Sequence, residues 1–190
     1  MITLQQMIVT PYSGRLESMA KVLPFLEGKR TAVYVGAKGP DGGFFLRELI
    51  AKYRFAMTIV EPWAPNAEEV RRNFPDCRVV TGTVQEFLAS TDETFDVFMW
   101  WHGPEHAPAD ELPNLIEKIK LRTDVVILGC PFGDYPQDGS GGNPFEIHQT
   151  CLVPEFFNSL GMSTWTLEYS GGKGGPGTHI TTWWIKEDAL

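Results

Sequence analysis

Cysteine is scarce in this chain: Cys77, Cys130 and Cys151 are the three among 190 residues. The count is odd and no two form a C-x-x-C pair, which argues against a disulfide framework or a zinc knuckle and for a reducing compartment. Long hydrophobic runs are missing as well. No stretch of 18 apolar residues occurs, so no membrane span is expected. The opening "MITLQQMIVTPYSGRLE" has no basic region ahead of an apolar core, so no secretory signal is expected and a cytoplasmic location is. Basic charge is short too, with 16 Lys and Arg against 24 Asp and Glu and a net charge of -8. That balance, without a basic run, argues against a nucleic-acid backbone as partner. A small-molecule substrate is expected instead.

What the chain does have is enough apolar residue, 43%, to build a real core, and a length that suits one domain. Six tryptophans leave room for an exposed apolar patch, and the oligomeric state stays open. Residues 1–30 read as an N-terminal helical segment. In it Leu16, Met19, Ala20 and Leu23 share one helical face from Ser13 to Leu23, and Pro24 should end or kink that helix. Residues 31–190 read as a single α/β domain. Short apolar runs at Thr31–Gly36, Phe55–Pro62, Cys77–Gly82, Phe95–Trp101 and Asp124–Cys130 predict five buried strands. Helical patterns separate them, at Asp41–Arg54, at Asn66–Phe74 with Asn66 as cap, at Val84–Leu88 and at Asp110–Lys120. A helix at Pro154–Leu160 and two β-rich runs, "MSTWTLEYS" and "THITTWWIK", follow. The pattern predicts a Rossmann-like seven-stranded sheet, mostly parallel, with a C-terminal antiparallel hairpin and helices on both faces.

Two stretches point to a ligand. In "VYVGAKGPDGG" a strand runs into Gly36, Ala37 and Gly39, where backbone N–H groups can approach a ligand closely. In "TIVEPW", Glu61 ends the second strand 25 residues after Gly36, where a carboxylate can accept both hydroxyls of a ribose.

The order of elements and these motifs resemble the class I S-adenosylmethionine-dependent methyltransferases over roughly residues 31 to 186. The family pattern is E/D-x-G-x-G-x-G, and here Tyr34 stands where the acid is usual. The resemblance implies S-adenosyl-L-methionine as cofactor. It implies that Gly36, Ala37, Gly39 and Gly42 or Gly43 hold its methionine and ribose portions, with Asp41 a substitute for the missing acid. Glu61 would take the ribose and Trp63 would pack near the adenine. Thr83 and Val84 in "TGTVQEF" stand where the family often carries an acid for the adenine amino group, and Gln85 is a substitute for it. "FDVFMWWHGPEH" resembles the family's fourth strand, with Asp96 structural and Trp101 at the ligand edge. Its "HGPEH" is not general to the family.

Methyl transfer to a hydroxyl needs a base. His148, in the long segment "GDYPQDGSGGNPFEIHQT", and His102 are the candidate catalytic residues, and that segment is the candidate cover for an acceptor that is a small molecule or sugar-like. A metal site from His102, His106 and Glu105 or Asp110 is weighed and set aside, because Gly103 and Pro104 break a helix between the histidines; no metal is expected, and His106 reads as a residue at the start of the next helix. "GGKGGPG" is not a P-loop, because Gly174 follows Lys173 and a strand follows the glycines. Two other readings stand beside the methyltransferase: an NAD-dependent oxidoreductase, which shares the glycine turn and the ribose acid, and a catalytically silent cofactor-binding or interaction domain.

Overall fold

The computed structural model describes residues 13–38, 45–169 and 177–189. Gly39, Asp41, Gly42, Gly43 and most of "GGKGGPG" lie outside the described residues. Seven strands form one sheet: β1 (Thr31–Val35), β2 (Ala56–Glu61), β3 (Arg78–Thr81), β4 (Phe95–Trp101), β5 (Thr123–Pro131), β6 (Ser163–Tyr169) and β7 (Gly177–Ile185), in the order β3-β2-β1-β4-β5-β7-β6. β1 to β5 are parallel, and β7 runs antiparallel to both β5 and β6. The predicted architecture is the one observed.

The helices are α1 (Ser13–Val22), α2 (Leu46–Tyr53), α3 (Ala64–Asn73), α4 (Val84–Ser90), α5 (Leu112–Lys120) and α6 (Pro154–Ser159). Alternation along the strands divides the core into two layers. Ala32 and Tyr34 of β1, with Val97, Met99 and Trp101 of β4, pack beneath α1, α2 and α3. Val33 and Val35, with Phe98 and Trp100, pack beneath α4, α5 and α6. The N-terminal segment shares the first layer: Met19, Val22 and Leu26 are buried in it. The predicted face of α1 is shifted, since Ala20 is exposed and Val22 is buried. Pro24 sits in a 3-10 turn, Leu23–Leu26, that ends α1.

Two helix starts differ from expectation. α3 begins at Ala64, with Pro65 in its first turn, so Asn66 is not its cap. α2 begins only at Leu46, because Phe45 takes the left-handed conformation at φ 67°. Asp96 is structural, as expected, and lies at the end of β4 remote from the strand C-termini. Its Oδ2 accepts the N–H groups of Arg30 (2.6 Å) and Thr31 (2.9 Å). Burial opposes its charge, but those bonds outweigh it and hold the carboxyl below its ordinary range.

Strand order reverses between β1 and β4, and the carboxyl ends of the strands at such a reversal are where open α/β sheets bind ligands. Register brings Gly36, Glu61 and His102 to that edge, and the antiparallel β7 brings His179 there opposite Pro131.

Candidate active site

Glu61 is the hinge of the first half of the site. It ends β2 with 3% of its surface exposed. Its Oε1 accepts the Trp63 N–H (3.0 Å) and the Asn66 Nδ2 (3.3 Å), so the carboxylate also holds the first turn of α3 in place. Burial is the main cause that pushes its pKa up to about 7; the bonds from Trp63 and Asn66 oppose the rise, the charge of Glu146 adds to it, and a bond from the Ala37 N–H opposes it. The bond from Ala37 ties Glu61 to the turn after β1. In that turn Gly36 adopts φ 82°, which glycine alone tolerates cheaply, while its N–H donates to Val60 O at 2.9 Å. Trp63 is half-buried at the mouth of α3.

Tyr34 does not face this turn. Its side chain, 1% exposed, points into the core layer with Met99. The third predicted ligand loop is committed to helix capping. Thr83 Oγ1 accepts the Glu86 N–H (3.2 Å) and Glu86 Oε2 accepts the Thr83 N–H (2.8 Å), a capping box that starts α4. Val84 is buried, and Gln85 donates to Glu111 (3.1 Å). Trp101 is buried edge-on to Phe45 (6.2 Å) and beside His179 (5.1 Å).

The second half of the site lies beyond β4. The chain leaves the strand through His102, at φ 51° in the left-handed region. Gly103 follows, with the Trp100 ring pressed against its Cα. Pro104–His106 then make one 3-10 turn, closed by His106 N–H to Gly103 O (3.0 Å). That turn drives Glu105 inward, to 2% exposure. The long loop 132–153 is pinned at its ends by Gly133 N–H to Leu152 O (2.6 Å) and is stitched onto the same turn. The Gln149 and Thr150 N–H groups donate to Glu105 O (2.8 and 3.1 Å), the Gln149 Nε2 to His106 O (2.6 Å) and the Thr150 Oγ1 to Ala107 O (2.5 Å).

These bonds bring the two predicted catalytic histidines together. His102 Nδ1 lies 3.5 Å from Glu105 Oε1 and His148 Nε2 lies 3.9 Å from the same atom. His106, read from sequence as the start of the next helix, joins them with Nε2 4.0 Å away, and its ring meets His148 edge-on at 4.9 Å. His179 sits 5.0 Å from His102. The chain has four histidines; three of them flank Glu105 and the fourth, His179, packs against one of those three. Asp110 does not join; it is exposed. Cys130 is buried nearby, and burial, with the charge of Glu105, pushes its thiol well above the ordinary range, so it stays an unreactive core residue. His179 was missed by sequence reasoning, because within an alternating strand it reads as one more buried position.

The same loop closes toward the first half. Glu146 Oε1 accepts from Lys38 Nζ (2.5 Å) and from Asn143 Nδ2 (3.3 Å), so the loop bridges to the turn after β1. A separate open cleft of about 550 Å³ runs between α4 and α5, lined by Gln85, Leu88, Glu111 and Lys118 among others. It contains neither Glu61 nor a histidine, and the convergent polar groups lie at the strand ends instead.

At the level of sequence, no family model and no curated protein matches the chain. Solved structures do. A SAM-dependent methyltransferase from Archaeoglobus fulgidus superposes with a TM-score of 0.61 at 16% identity, over 90% of this chain and 95% of that one. The N-terminal domain of EvdMO1 with SAH bound gives 0.65 at 12% identity, over 94% and 82%. The DhpI–SAH complex gives 0.60 at 18% identity, over 97% and 92%. The chain therefore has the class I methyltransferase fold. Among the described residues, no helix is long and apolar enough to cross a membrane.

Proposed function

We propose that this chain is an S-adenosylmethionine-dependent methyltransferase that acts on a hydroxyl of a small-molecule or sugar-like acceptor. The observation that carries the reading is Glu61: a buried carboxylate at the end of β2, bonded to the turn after β1, at the edge where the strand order reverses. One of its oxygens is engaged by Trp63 and Asn66. A carboxylate has about four acceptor positions, and those beyond the Trp63, Asn66 and Ala37 bonds would serve ribose hydroxyls. Trp63 offers an aromatic face beside the adenine. Gly36 and Ala37 line the remaining length of the cofactor, and Lys38 and Glu146 close over it. With Tyr34 turned into the core, the cofactor's amino group falls to Glu146 or to backbone carbonyls of the turn.

The cofactor supplies a methyl group already activated on a sulfonium, so the protein's task is alignment, exclusion of water and removal of the acceptor's proton. His102 and His148, which flank Glu105, are the candidates to take that proton. The loop 132–153 covers the acceptor. Neighbours in fold fit a small acceptor: one was crystallised in the presence of SAH and D-fucose, another with a triazolic desmethylPZN analog and SAH.

Calorimetric titration with S-adenosylhomocysteine and, separately, NADH tests the reading. One S-adenosylhomocysteine per chain and no heat from NADH are expected. Binding of NADH alone would transfer the site to the oxidoreductase reading. Binding of neither would remove both enzymes.

A further inference from the structure

Glu105, His106 and His148 carry a second chemistry. His148 Nδ1 lies 2.5 Å from Tyr135 O and His106 Nδ1 lies 3.1 Å from Ile147 O. A carbonyl oxygen only accepts, so each Nδ1 carries the proton and donates it. In the neutral rings each Nε2 then presents a lone pair, and both face Glu105 Oε1, at 4.0 Å and 3.9 Å. The ligand atoms of all three residues lie within 4.8 Å of one another. Three ligand atoms converge on one small region, the arrangement a shared cation needs. Ligands about 2.0–2.2 Å from an ion stand roughly 3–3.6 Å apart, so small side-chain rotations close the set. An imidazole whose other nitrogen is held by a backbone carbonyl is the arrangement that orients metal ligands and fixes their tautomer.

We propose that Glu105, His106 and His148 bind one divalent first-row transition-metal cation, with its remaining positions left to water or to an oxygen of the acceptor. Two imidazoles and one carboxylate suit zinc, cobalt, iron, nickel or manganese better than magnesium or calcium, which prefer oxygen donors. A three-ligand set leaves coordination positions open, as catalytic sites do. Ion binding stands independently of the S-adenosyl reading; only the ion's use on an acceptor rests on it. In that use His148 Nε2 is committed to the ion and His102 becomes the base. The acceptor hydroxyl gives its proton to His102, the oxygen bonds to the methyl carbon, and the carbon–sulfur bond breaks with its electron pair left on sulfur.

The test uses the untagged full chain, stripped of metal and titrated with cobalt(II) by calorimetry and visible absorption. One cobalt per chain is expected, with a ligand-field band, and a hundredfold excess of magnesium should not displace it. Glu105→Gln, His106→Asn and His148→Asn should each weaken binding at least about tenfold, since even changes outside the ligand shell cost about 10- to 100-fold. Asparagine keeps an amide donor near the Nδ1 position and removes Nε2. Melting curves establish that each variant is folded. Should an asparagine variant fail to fold, Glu105→Gln, which exchanges one oxygen for an amino group, decides. No cobalt bound by the intact chain, displacement by magnesium, or unchanged affinity in the folded variants would overturn the proposal.

Discussion

Gly103→Ala is expected to destabilise the protein by about 3 kcal/mol, lowering the melting temperature by roughly 6–12 °C for a domain of this size. The reason is steric. A Cβ at Gly103 would stand 1.7 Å from Trp100 Nε1 and 1.9 Å from its Cδ1. That contact is not with the loose end of a flexible chain. Trp100 is a buried ring in the layer under α4, α5 and α6, with Phe98 and Leu128 in the same cluster, and it has nowhere near to go. The turn must move instead, and the turn carries Glu105 and His106. The substitution should therefore weaken cobalt binding along with stability. A double-mutant cycle isolates the cause: in a Trp100→Leu background, Gly103→Ala should cost far less than in the native chain. Equal costs in both backgrounds would place the strain elsewhere.

Glu61→Ala should weaken S-adenosylhomocysteine binding by about 1–3 kcal/mol, roughly 5- to 150-fold, as for a lost hydrogen bond to a charged group. The pH dependence sharpens this. Glu61 holds its proton up to about pH 7, mainly because burial disfavours the charge. Ribose hydroxyls donate to the ionised form, so affinity should fall as pH is lowered through about 7, and it should be flat across that range in Glu61→Gln. The same shift acts on the ligand-free protein in the opposite sense to a salt-bridged acid. Between the ordinary carboxylate range and pH 7 the folded chain keeps a proton that the unfolded chain has released, so stability falls as pH rises. Above about pH 7 the full cost of a buried charge is present. Glu61→Gln should then melt at least as high as the native protein at pH 8, with no such advantage in acid. A native affinity that does not change between pH 6 and 8 would dissociate Glu61 from the ribose.

Much of the frame was legible because it is local. Phe95–Trp101 is a strand with the boundaries its apolar run predicts, and the two β-rich C-terminal runs pair as the antiparallel hairpin they suggest. Glu61 was legible because the position follows from the end of an apolar run. The start of α3 was misplaced because Asn66 looks like a cap, whereas its amide serves Glu61 from inside the first turn. The histidine cluster was only half legible. Gly103 and Pro104 do break any regular helix, as the sequence reading held, but a single 3-10 turn still sets Glu105 and His106 side by side. Their meeting with His148 depends on bonds from Gln149 and Thr150 back to Glu105, formed 44 and 45 residues along the chain. No spacing rule reveals those. Tyr34 looked like a gap in the cofactor site because it occupies an acid's place in the pattern. In the fold it is a core residue packed with Met99, which the local pattern of the turn does not reveal.

The most direct test of the account is a crystal structure of the chain with S-adenosylhomocysteine. The account predicts the ribose hydroxyls within hydrogen-bond distance of the Glu61 carboxylate, the ligand lying across the ends of β1 and β4, and its sulfur directed toward the group formed by His102, Glu105 and His148. A ribose that engages other residues, or a sulfur directed away from that group, would contradict it.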